Sequence, residues 1–221
     1  MFKTLSFKLM SVLSIAVLLS ACAQPVKRPD YTAFKKSQPR SILVLPPVNE
    51  TSDVGATYGM LSQMTLPLAE SGYYVVPVAV MDETFKQNGL TNAAEIQETP
   101  AAKLREIFGA DAALYSKVSQ YGTVYRILAS ATVVSASAKL VDLRTGDVLW
   151  QGSASAASDE SGNNGGGSLI GMLVTAAVKQ VANTLMDQSH DVAAFTSSRL
   201  LTAGPPNGLL YGPHSPKYGT D

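Results

Sequence analysis

Cysteine is almost absent from this chain: its 221 residues contain one, Cys22. A single thiol forms no intrachain disulfide, so the fold must hold by packing. Cys22 is left as a free thiol, a metal ligand, a nucleophile or an attachment point. Histidine is nearly as scarce. His190 and His214 are the only two, and neither stands in a metal-binding spacing such as HExxH. No G-x-S-x-G elbow offers a serine nucleophile. The adjacent acids Asp82-Glu83 and Asp159-Glu160 read as solvated surface. An excess of either charge is missing too: 17 Lys+Arg face 17 Asp+Glu, for a formal net charge of 0. There is no basic face of the kind nucleic acid requires. These absences leave no catalytic residue, no metal site, no cofactor and no nucleic-acid partner to assign, and the chain is expected not to be an enzyme.

The surroundings of Cys22 choose among its roles. Lys3 and Lys8 form a short positive region, Leu9 to Leu19 an apolar core, and Ser20-Ala21 a pair of small residues. That order is the layout of a bacterial signal peptide. The apolar run is too short to span a bilayer, which takes about 20 residues. Leu19-Ser20-Ala21-Cys22 resembles the lipobox of bacterial lipoproteins. The resemblance implies acylation of the Cys22 sulfur (palmitate among the chains carried), removal of residues 1–21, and anchoring in the membrane by the lipid. Stable anchoring takes more than one acyl chain. The residue after the cysteine is Ala23. In enteric-type sorting an aspartate there retains a lipoprotein at the inner membrane, so delivery to the outer membrane is expected, with the periplasmic or surface face left open.

Composition then divides the rest. Residues 22–40 carry prolines and basic side chains without apolar periodicity and read as a flexible tether. Residues 201–221, rich in proline and glycine, read as an extended tail, free or packed through Leu209, Leu210 and Tyr211. Residues 41–200 are expected to form one α/β domain, a mixed sheet packed by helices. The run "SILVL" ending at Pro46-Pro47 reads as a buried strand. Tyr58, Leu61, Met64 and Leu68 have helical spacing across Val54 to Glu70, with Pro67 as an irregularity. Tyr73 to Val78 reads as a strand and Ala79 to Gln87 as a helix. Thr99-Pro100 opens another helix, closed by Gly109. Asp111 to Val118 is a third strand. Between Arg126 and Asp142, Val134, Ala136, Ala138 and Leu140 alternate with Val133, Ser135, Ser137 and Lys139, the period of a strand with one wet face.

The turn after that strand is the most informative internal motif. In "KLVDLRTGDVLWQG", Gly146 can take the positive φ of a tight hairpin, and Asp142 and Thr145 can hydrogen-bond its backbone. Asp142, Thr145, Gly146 and Trp150 read as architecture. The glycine-rich loop at 161–167 has the glycine spacing of a phosphate loop, but Ser168 and Leu169 follow where lysine is needed, so a mobile loop is expected. Ser168 would cap a helix from Leu169 to Met186. Gly167 and Gly171 add a GxxxG spacing to its start.

The lipobox, the first strand "SILVLPPVNETSDV" and the hairpin "AKLVDLRTGDVLWQGSAS" together resemble a family of small lipoproteins of Gram-negative bacteria, the type that includes a meningococcal surface-lipoprotein vaccine candidate. The family is similar in turn to the amino-terminal domain of TolB and the periplasmic part of the curli-secretion lipoprotein CsgG, with a D-x-x-T-G-x-x-x-W pattern carried here by Asp142, Thr145, Gly146 and Trp150. The resemblance implies an α/β sandwich, an envelope location, self-association, and partnership with a CsgG-like lipoprotein. It supplies no catalytic residue. The expectation is an outer-membrane lipoprotein serving as a non-catalytic accessory or assembly component. The alternative is a ligand-binding or hydrolytic domain acting on wall or surface polymer. For self-association a dimer is the first expectation, through the strand Val133 to Leu143 or the helix Leu169 to Met186.

Overall fold

The structure, a computed structural model, describes residues 29–125, 130–160, 188–204 and 206–221. Its spine is a sheet in the order β3-β1-β4-β5-β6. Strand β1 (Ser41–Val44) lies parallel to β3 (Tyr74–Val75) on one side and to β4 (Ala112–Tyr125) on the other. Strand β5 (Ser130–Asp142) runs antiparallel between β4 and β6 (Val148–Ala157). The sheet is mixed and the fold is α/β. Ile42, Leu43 and Val44 are all buried, because helices cover β1 on both faces. Pro46 and Pro47 have no N–H for the ladder. They interrupt the run after Leu45 donates to the Leu114 carbonyl (3.1 Å), and β2 (Val48–Asn49) resumes alongside β4, one residue out of step.

Helix α2 (Ala56–Glu70) packs on the sheet through Met60, Leu61, Met64 and Leu68. Tyr58, expected on that stripe, instead lies half exposed and donates to Asp82 Oδ1 at 3.1 Å. Pro67 is buried inside the last turn without ending the helix. Between β3 and β4 come α3 (Val78–Gln87), α4 (Ala93–Gln97) and α5 (Ala101–Phe108), with the Phe85 and Phe108 rings tilted against each other at 5.4 Å. Gly109 closes α5 at φ 66°. Strand β3 is shorter than the expected Tyr73–Val78, because Pro77 starts α3. Helix α6 (Gln188–Leu201) lies beside α2. Thr196 Oγ1 reaches the Val134 carbonyl (3.1 Å) and Ser197 Oγ the Met60 sulfur (3.6 Å).

The α2–α6 layer buries Val134, Ala136, Ala138 and Leu140 of β5. Ser137 and Lys139 point to the open side, as their alternation requires. Strand β5 is paired along both edges, so the strand Val133 to Leu143 offers no free edge for self-association.

The N-terminal end of the described chain departs from a flexible tether, and the C-terminal end takes the packed form of the two expected for the tail. Helix α1 (Thr32–Ser37) falls inside the segment expected to be flexible, and its Phe34 is buried. The C-terminal segment is packed: Leu209 is fully buried, and hydrogen bonds hold residues 207–214 to the body. The lipobox residues Leu19 to Cys22, the loop 161–167, Ser168 and the expected helix Leu169 to Met186 lie outside the described residues.

Candidate functional site

The β5–β6 turn is built on one carboxylate. Asp142 is buried at 1% exposure. It accepts from Ser37 Oγ (2.5 Å), from the backbone N–H groups of Arg144 (2.6 Å) and Thr145 (3.2 Å), and from the Arg144 guanidinium (3.0 Å). Burial pushes this carboxyl up, but the hydrogen bonds from Arg144, Ser37 and the turn backbone outweigh it and hold Asp142 at about 2. Gly146 takes φ 80° and donates to the Asp142 carbonyl, while Thr145 Oγ1 accepts from Asp147 N. Through Ser37 and Arg144, which also donates to the Ser37 carbonyl (2.6 Å), the turn clamps α1. Trp150 is buried, donates to the Asn207 carbonyl at 3.0 Å, and lies so close over Gly152 that a Cβ there would overlap the indole. All four motif residues thus sit in structural contacts.

Around them the two ends of the chain close on each other. Tyr31 donates to Gly208 O (2.6 Å), Tyr73 to Leu210 O (2.5 Å), and Lys35 to Asp221 O (3.0 Å). Burial, with the Asp221 charge adding, pushes the Tyr73 phenol far above its usual range, so it stays a donor at any physiological pH. Gly72 (φ 95°) lies directly against the backbone of Gly212 and Ser215, leaving no room for a side chain.

Two clefts flank β6. One, of about 650 Å3, lies on the open sheet face between α4 and the strands, lined by Gln97, Tyr115, Lys117, Ser137, Lys139 and Gln151. Lys139 sits over the Tyr115 ring at 5.3 Å, and Lys117 pairs with Glu50 at 2.9 Å. Gln97 donates to the Pro46 and Ser116 carbonyls, which fixes α4 at the rim. The second cleft, of about 750 Å3, runs along the outer edge of β6, between Trp150–Ser153 and the segment Thr202–Gly208, with Pro29 in its wall.

The remaining candidates do not converge. The exposed His190 contacts Gln63 (2.6 Å), and His214 belongs to the C-terminal segment, where its backbone N–H donates to Gly72 O. Asp82 pairs with Lys86 and Glu160 with Arg199 (2.7 Å). Among the described residues no three His, Cys, Asp or Glu gather as a metal site, and no helix is long and apolar enough to cross a membrane. The edge of β6 and the N-terminal half of the clasp went unnoticed in the sequence, where packing of the tail through Leu209 stood only as one of two readings. The N-terminal signal, Tyr31 and Phe34 at helical spacing, is too sparse to stand out from linker composition.

The relatives agree with this architecture. The family model described as "Putative lipoprotein GNA1162-like" matches residues 29–214. A Neisseria meningitidis serogroup B protein, "Putative lipoprotein NMB1124/NMB1162", is 52% identical over 203 residues, 91% of this chain and 93% of that one. The crystal structure of lipoprotein GNA1162 from Neisseria meningitidis shares 56% identity, covers 66% of this chain and 100% of its own, and superposes with a TM-score of 0.53. The PelC dodecamer from Paraburkholderia phytofirmans is 14% identical, over 79% of this chain and 91% of its own, with a TM-score of 0.44, a likeness too low to bear on assembly. With the family model spanning the described structure from its first residue to His214 and a 52% identical relative along nearly the whole chain, this protein belongs to the GNA1162-like lipoprotein family, whose members are lipid-anchored proteins of the cell envelope.

Proposed function

We propose that the chain is carried by a signal peptide, acylated on Cys22 and delivered to the outer membrane, where it serves as a non-catalytic accessory or assembly component that binds protein partners, a CsgG-like lipoprotein among them. Membership of a lipoprotein family, joined to a lipobox at Leu19 to Cys22, carries the anchoring part. One observation supports the binding part. The one strongly shifted carboxylate, Asp142, sits in contacts that hold the chain together, whereas neither cleft along β6 has a carboxylate among its described lining residues. Perturbed carboxylates facing a cleft would point to catalysis. The open-face cleft, with Tyr115, Lys117, Lys139 and Gln151, is where wall or surface polymer would bind on the alternative reading.

Exchange of Cys22 for Ser tests the anchor. The Cys22→Ser protein is expected to take up no labelled fatty acid and to leave the detergent phase, whereas the unaltered protein sediments with outer membrane in a density gradient. Continued labelling of the Cys22→Ser protein defeats the lipid assignment. Recovery of the unaltered protein with inner membrane defeats the destination.

A further inference from the structure

Among the described residues, no strand pairs with the outer edge of β6. In an antiparallel pair, residues alternate between hydrogen-bonded positions and positions whose N–H and C=O point away from the partner. Two independent contacts give the phase. Ser158 N donates to Thr132 O, which places the bonded positions of β6 at even numbers, and Arg199 Nη1 takes the Ser155 carbonyl from outside at 2.8 Å. The pairing with β5 is regular from Trp150 to Ala157. Gln151, Ser153 and Ser155 therefore present their backbone groups outward. Among the described residues, the groups of Gln151 and Ser153 have no hydrogen-bond partner. The cleft of about 750 Å3 lies along them, with Gly152 in its floor and the segment Thr202–Gly208 as its far wall.

We propose that this groove binds a single extended peptide segment of a partner protein, added to the sheet as a seventh strand beside β6. Unpaired ladder groups select an extended backbone, which supplies the matching donors and acceptors. The far wall selects a lone segment over a second copy of β6. Each copy carries its own Thr202–Gly208 wall along the same edge, which a second β6 would bring into the groove with it, whereas a lone segment brings none. The groove also lies near the anchor. Pro29 is in its wall, and seven residues, about 25 Å of fully extended chain, separate Pro29 from Cys22. The partner is accordingly a protein held at the same membrane, offering an extended linker at that height.

This deepens the partner-binding reading above. Its test involves no lipid, so it fails or stands apart from the anchoring claim. The probe is a fluorescent nine-residue peptide of the β5 sequence, Val133–Val141, the stretch that already pairs antiparallel with β6 on its inner side. The receptor is the full chain carrying Cys22→Ser. Saturable binding is expected, with slowed exchange at the amides of Gln151 and Ser153. Ser153→Pro removes an outward N–H, a change an edge strand tolerates. It is expected to weaken binding about tenfold or more while leaving thermal unfolding and the β5–β6 ladder intact. Equal binding by the Ser153→Pro protein, or no binding of the peptide at millimolar concentration, overturns the proposal. So does a concentration-dependent dimer, seen by light scattering and abolished by Ser153→Pro, which would make a second copy the occupant.

Discussion

At the scale of residues, Asp142 has the largest single consequence. Its carboxyl is held at about 2 in the folded chain against an ordinary value of 3.8. A depressed carboxyl stabilises the fold above the unfolded value and loses that contribution as pH falls through the folded one, so the window runs from about pH 4 down to about pH 2. The shift corresponds to about 2 kcal/mol. Asp142→Asn is expected to lower unfolding free energy by about that amount at pH 7, and the gap to the unaltered protein should narrow as pH drops below 4. Urea midpoints at pH 7, 5 and 3 measure it. A gap that does not change with pH would mean that the negative charge contributes nothing. The hairpin was legible in the sequence because Gly146 and Asp142 act on their near neighbours. The clamp from Asp142 to Ser37 was not, since it joins residues 105 positions apart and nothing local marks Ser37.

At the scale of elements, legibility follows how much of the burial is apolar. Strand β1 announces itself because every position after Ser41 is apolar and buried. Strand β5 does so by alternation. Helix α6 does not: its buried positions include Ser189, Thr196 and Ser197. Thr196 bonds the carbonyls of Val192 and Val134, and Ser197 the Met60 sulfur, so these hydroxyls are buried without penalty. Helix α1 hides its one buried residue, Phe34, just ahead of Lys35 and Lys36. The C-terminal segment is dominated by glycine and proline around a single apolar cluster, Leu209-Leu210-Tyr211, yet Leu209 is as buried as any core leucine. Leu209→Ala is expected to cost about 2–4 kcal/mol. Trp150, the only tryptophan, bonds the same segment through Asn207 and reports on it. Its emission should shift to the red in the Leu209→Ala protein at temperatures where far-ultraviolet circular dichroism is still native. Loss of both signals together would make the segment part of one cooperative unit.

At the scale of the whole molecule, the sheet grades from closed to open. Strands β1 and β4 lie inside it, β5 is paired on both sides, and β6 ends it under partial cover. Hydrogen exchange should follow that order. Amides of β1 and of β4 up to Val118 are expected to open only with global unfolding, whereas those of Gln151 and Ser153 should exchange within seconds in the free protein. Slow exchange at Gln151 and Ser153 without any added peptide would place another part of the chain on that edge.

The join between α1 and the rest of the protein also decides what happens when the chain is pulled. On the lipid-anchored reading, tension from the membrane enters at Pro29. The first contacts in its path are those of Tyr31, Phe34 and Ser37, which release one after another, as a strip peels. The next element, β1, is laced between two parallel neighbours, so the same tension meets several hydrogen bonds side by side. Peeling should therefore halt at Ser41. The twelve residues from Pro29 to Arg40 would pay out to an extended length of about 40 Å, while the sheet stays whole. The protein then carries a built-in length reserve, spent under load and rewound when the load is gone.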